Sequence, residues 1–206
     1  TIARTMPGSM DDIDLGGELK FSGTGPTTDL LTGKNVAAQG LSVNGCGWKI
    51  DFTNLDLGDT SNTADSWVSA NCGLTTTSNV VSISDGTIEG KSAAAGKQNN
   101  FVYARNSILT LAGMDVDGMT YNGAYLASAG TNGDIRLVDV SFNTNDCLDS
   151  NDEADTSVCW FDAQSGTAKI YFGGTGEVNV YRSSVLQSGV VNTMQPGHKV
   201  TTAVHD

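Results

Sequence analysis

The residues of this chain best suited to chemistry are acids and cysteines. The segment 143–159 reads Asn-Thr-Asn-Asp-Cys-Leu-Asp-Ser-Asn-Asp-Glu-Ala-Asp-Thr-Ser-Val-Cys and contains no base. Carboxylates that converge without a cation suit Ca2+, a hard ion that takes about six to eight oxygen ligands. Asp149, Asn151, Glu153 and Asp155 alternate like the start of a calcium loop and, with Asp152, are the candidate metal ligands. The glycine and distal bidentate glutamate of a helix–loop–helix calcium site are missing, so a solvated acidic loop is the competing reading. Calcium is the only cofactor expected.

The four cysteines are Cys46, Cys72, Cys147 and Cys159, and no two have C-x-x-C spacing. The two histidines, His198 and His205, lie near the end of the sequence. A Cys/His metal site is therefore disfavoured, and two disulfides in an exported protein are expected. A Ser/His/Asp triad is disfavoured by the same shortage of histidine. No G-x-x-x-x-G-K phosphate loop is present.

The elements that must position these groups follow from composition and periodicity. Gly 25, Thr 23, Ser 19 and Asn 16 make up about 40% of the 206 residues. Such residues build turns and strands and are poor in helices. The formal net charge of −12 opposes binding to a phosphate backbone or an anionic membrane. No apolar run reaches membrane-spanning length, so no membrane span is expected.

Two motifs recur. The first is a short apolar run followed by alanine and small polar residues; its alanines are read as Ala38, Ala70, Ala104, Ala127 and Ala163. The second has apolar residues at offsets 0, 2, 5 and 7. Ile50, Phe52, Leu55, Leu57 fit it, as do Leu109, Leu111, Met114, Val116 and Ile135, Leu137, Val140, Phe142. Val81, Ile83, Gly86, Ile88 fit with one substitution, and Ile170, Phe172, Val178, Val180 with an insertion. Ile13, Leu15, Leu19, Phe21 read as a looser early copy. Period-2 alternation marks a strand with one buried face, and the extra residue before offset 5 forces a corner. Each repeat is then three short strands and three corners, which stack on their neighbours to close a core. An immunoglobulin-like sandwich is the alternative, but it has no reason to repeat one corner motif in register.

The pattern resembles the single-stranded right-handed parallel β-helix of pectate-lyase-like proteins and of large exported bacterial and archaeal surface proteins. The resemblance implies an all-β, three-sided solenoid over 13–187. An N-terminal extension at 1–12 would precede it. A change of pattern at 188–206 reads as the opening of an immunoglobulin-like module or an assembly strand. Corner insertions fall at 58–66, 90–100, 118–123 and 143–159, all on one edge. In this register Cys46 and Cys72 occupy stacked corners and should pair, while Cys147 and Cys159 should close the 143–159 insertion. The tryptophans Trp48, Trp67 and Trp160 sit in the apolar pattern, so core packing outweighs sugar stacking for them.

Enzymes of the resembled fold carry catalytic carboxylates and an Arg or Lys base, or Asp pairs with His and Arg, on one outer face. Here Arg136 projects outward in a column with Asp51, Ser82 and Thr110. Asp115 lies in a second column with Asp56, Thr87, Ser141 and Asn179. Asp51, Arg136 and Asp115 are thus candidate carbohydrate-binding residues, but Arg136 lacks a local cluster of acids, and no residue is assigned a catalytic role. The balance favours a non-catalytic structural or adhesive protein outside the cell, part of a surface layer, filament or larger surface protein. Its expected partners are further copies or neighbouring domains, with polysaccharide as a possible ligand. The alternative is a Ca2+-dependent lyase-like or carbohydrate-binding β-helix.

Overall fold

The computed structural model describes residues 8–26, 28–58, 67–89, 101–117, 125–143, 161–163, 169–173, 177–181, 192–194 and 199–203. Among these residues the fold is all-β, and every strand pairing is parallel. The described residues therefore do not form a sandwich of antiparallel strands. The first sheet contains β1 (Ser9–Asp14), β3 (Leu31–Ala38), β5 (Lys49–Leu57), β7 (Asn79–Glu89), β9 (Ser107–Asp117), β11 (Asp134–Val138), β14 (Lys169–Gly173) and β16 (Asn192–Met194) in that order, with β12 (Ser141–Asn143) also on β9. The second runs β13 (Phe161–Ala163), β10 (Tyr125–Ala129), β8 (Phe101–Arg105), β6 (Trp67–Asn71), β4 (Gly40–Cys46), β2 (Glu18–Thr24). A third pairs β15 (Glu177–Tyr181) with β17 (Lys199–Ala203). From β1 to β11 the chain alternates between the two large sheets, so each strand pairs with the strand two places away.

The apolar offsets are the buried columns. In β5, Ile50, Phe52, Leu55 and Leu57 are all buried, and the intervening positions face outward. Val81, Ile83 and Ile88, then Leu109, Leu111 and Met114, then Ile135, Leu137 and Val140 repeat this in the following copies. Gly86 stands at the substituted position because a Cβ there would overlap the backbone of Leu55 in the preceding repeat.

The break in alternation is one residue held in left-handed geometry. Asp12, Asn35, Asn54, Asp85, Gly113 and Asp139 occupy successive copies of the position before offset 5, with φ between 51° and 58°. Only Gly, Asn and Asp enter this region at low cost, which is why the column contains no other type. Asparagine also links the repeats: Asn35 Nδ2 donates to Asp12 Oδ1 at 2.7 Å, and Asn54 Nδ2 to Asn35 Oδ1 at 2.9 Å.

Register corrects two details of the repeat. Ala70 shares its column with Val43 and Ala104, and Ala104 pairs with Ser128, which pairs with Ala163. Ala38 instead pairs with Leu57, and Ala127 with Tyr103. Both shifts arise because the repeats differ in length, so matching residue types do not mark matching positions. Of the early copy, Ile13 aligns with Val36 and Leu55, and Met10 with Gly33 and Phe52. Leu19 and Phe21 belong to the second sheet, beside Leu41 and Val43.

The expected Cys46–Cys72 disulfide is present, with Cα atoms 4.8 Å apart. It joins the ends of β4 and β6, adjacent strands of the second sheet. A cystine is compatible with an oxidising compartment outside the cytosol. No helix among the described residues is long and apolar enough to cross a membrane.

A buried polar corner lies beside the cystine. Asn79, fully buried, accepts from the Trp48 backbone N–H at 3.0 Å. It donates to the Gly45 carbonyl at 2.8 Å and the Ser107 hydroxyl at 3.2 Å. One repeat further, Asn106 donates to the Cys72 carbonyl and accepts from the Thr131 N–H. Asn79→Ala leaves the buried Trp48 N–H and the half-buried Gly45 carbonyl without these partners. The expected loss is about 2 kcal/mol, read as a lower urea midpoint; an unchanged midpoint would show that water replaces the amide.

Candidate functional site

Core columns occupy the inward positions, so any binding function must use the outward ones. On the first sheet the register aligns Ser9, Thr32, Asp51, Ser82, Thr110, Arg136 and Tyr171 in one outward column. Arg136 is exposed; its guanidinium lies 3.7 Å from the Asp134 carboxylate and 5.8 Å from the centroid of the Tyr171 ring. Its charge is thus shared between an acid two residues away and an aromatic face on the next strand. Asp51 shares the column but lies three strands away, about 14 Å at ordinary strand spacing.

Asp115 stands beyond the left-handed corner, in a column with Ala37, Asp56, Thr87 and Ser141. In that column the Thr87 hydroxyl donates to the Asp56 carboxylate at 2.8 Å. The three candidate carbohydrate-binding residues therefore do not converge. Asp51 and Arg136 share a face but not a contact, and Asp115 occupies another face. A lyase-like centre needs a base and carboxylates around one substrate atom, and among the described residues Asp51, Arg136 and Asp115 do not assemble one.

Asp149, Asn151, Asp152, Glu153, Asp155, Cys147 and Cys159 lie outside the described residues. So do Trp160 and the corner insertions, apart from Gly58 and Asn143. Among the described residues no group of three or more His, Cys, Asp or Glu is placed to hold a metal ion.

The second sheet presents a different outer face. In β6 the inward residues are Val68 and Ala70, both fully buried, so Trp67, Ser69 and Asn71 are on the outer side. Trp67 is thus not a core residue, unlike Trp48, which is buried and packs on Phe21 with ring centroids 5.4 Å apart. The Trp67 indole lies over Gly40 of the adjacent strand, where a Cβ would approach the ring to 2.5–3.0 Å. Its Nε1–H donates to the Ser42 hydroxyl at 2.9 Å. A bare glycine and a hydroxyl acceptor together fix the ring against the sheet.

The next outward column aligns Lys20, Ser42, Ser69 and Tyr103, and the one beyond it Ser22, Asn44, Asn71 and Arg105. The backbone register also places Phe101 beside Trp67, and Tyr125 beside Phe101. This aromatic and amide face was legible in principle. Once Val68 and Ala70 are read as inward, Trp67 must face outward. Comparison with protein-family models, curated proteins and solved structures gives no match.

Proposed function

We propose that this chain is a non-catalytic structural or adhesive protein of the cell exterior. In this reading it is built as a right-handed, three-sided parallel β-helix and forms part of a surface layer, filament or larger surface protein. The observation that carries the reading is the unbroken parallel register of β1 through β11, alternating between two sheets and stapled by Cys46–Cys72. A left-handed residue within each repeat of the first sheet gives the third side a place to begin. Parallel repeats of this kind grow by adding the next repeat to an exposed strand edge, and the same edge pairs between copies when nothing covers it. Contacts between unlike ends are heterologous and propagate into filaments.

The test is the particle size of the oxidised, secreted protein across a concentration series, by light scattering and electron microscopy. Concentration-dependent elongated particles are expected. A monodisperse monomer that cleaves acidic polysaccharide, with the activity lost in Arg136→Ala, would replace this reading with the lyase-like one.

A further inference from the structure

The geometry points to a glycan-binding strip on the outer face of the second sheet, centred on Trp67 and Tyr103 and taking a neutral polysaccharide. The inference gives chemistry to the adhesive part of the function proposed above and rests on that reading only for where the protein meets its ligand.

Three features converge there. First, the Trp67 ring is pre-positioned: Gly40 leaves room beneath it, and the Ser42 hydroxyl holds its Nε1–H at 2.9 Å. A ring immobilised before binding loses little entropy on binding. Second, Tyr103 lies one strand on and one outward column across; its ring is half-buried, and its hydroxyl has no hydrogen-bond partner among the described residues. Third, Asn44, Asn71 and Arg105 line the neighbouring column and supply amide and guanidinium groups for hydroxyls.

The combination selects a ligand class. Aromatic faces carry negative quadrupole density, which attracts the slightly positive C–H faces of pyranose rings. Amide and guanidinium groups beside them satisfy the equatorial hydroxyls. Nucleobases also stack on aromatic rings, but their phosphates would meet a chain of net charge −12. Polyuronates and sulfated glycans meet the same net charge at long range, although Lys20 and Arg105 on this face are themselves cationic. A neutral glycan running across the strands has no such penalty.

The test titrates the oxidised protein with soluble neutral oligosaccharides (cello-, chito- and manno-oligosaccharides of about six units) and with polygalacturonate and heparin. Tryptophan fluorescence and calorimetry report binding, and light scattering in the same samples reports assembly. At least one neutral series is expected to bind. Trp67→Ala should weaken that binding at least tenfold, Tyr103→Ala severalfold, and Arg136→Ala not at all. Gly40→Ala, which displaces the indole without changing charge, should weaken binding in proportion to the shift in tryptophan emission. Tyr103→Ala keeps the test valid if Trp67→Ala fails to fold, since the Tyr103 hydroxyl makes no hydrogen bond among the described residues.

Absence of binding to every neutral series overturns the proposal. So does binding of polyanions alone, or a Trp67→Ala effect confined to particle size, which would make the strip a contact between copies. Binding by a strictly monomeric protein would support the glycan strip while sinking the assembly reading, so the two fail separately.

Discussion

Phe52→Ala is expected to destabilise the protein by about 4 kcal/mol, the usual cost of deleting a fully buried phenyl ring. Phe52 is 0% exposed and sits mid-column, between Gly33 of β3 and Ile83 of β7. Its ring leans over Gly33, where a Cβ would overlap the phenyl edge and approach the Met10 carbonyl to 3.1 Å. The two positions are thus one packing unit shared between adjacent repeats. Gly33→Ala alone should cost about 2 kcal/mol by overpacking. In the Phe52→Ala background the same methyl enters the vacated space, so its cost should vanish or reverse. Urea denaturation of the four-member cycle measures this coupling. Additive effects would show that the two residues do not share the space the structure assigns them.

Removing the Cys46–Cys72 cystine should cost about 3.5 kcal/mol. The bridge closes a loop of 26 residues, and the chain-entropy relation converts that length to this figure at 25 °C. For a chain of about 200 residues the thermal midpoint should fall by roughly 10 °C. Cys72 is fully buried, so alanine is the better replacement there, because serine would add a buried hydroxyl. The cystine flanks Gly45, whose carbonyl receives the Asn79 amide. The cost of Asn79→Ala should therefore change when the bridge is absent, since both hold the same corner. Equal midpoints for the reduced and oxidised protein would show that the bridge constrains nothing in the unfolded chain.

The partner of Cys46 was legible in the sequence even though the repeat was mis-phased. Ala38 is not equivalent to Ala70; Val43 is. Yet Cys46 follows Val43 by three residues and Cys72 follows Ala70 by two, so either phasing leaves the cysteines at adjacent corners. The buried columns were legible for a firmer reason: Ile50, Phe52, Leu55 and Leu57 carry their facing in their own spacing. The candidate sugar-binding residues fared differently. The column of Asp51, Ser82, Thr110 and Arg136 is in the structure as read, but residues in one column stand a strand apart at every step, and a shared face is not a shared site. Trp67 belongs to the apolar pattern that reads as core, but its phase relative to Val68 and Ala70 puts it outside.

By itself the sequence determined which residues face inward, where each strand of the first sheet bends, and which pair of cysteines meets. These are local properties: alternation has a period of two, and a left-handed residue acts where it stands. Only the tertiary structure decided which residue sits above which. Parallel pairing joins residues some twenty to thirty-five positions apart, through repeats of unequal length, and the register is the one that buries all columns together. That register put Ser128 rather than Ala127 in the alanine column, opened the space over Gly40 for Trp67, and separated Asp51 from Arg136.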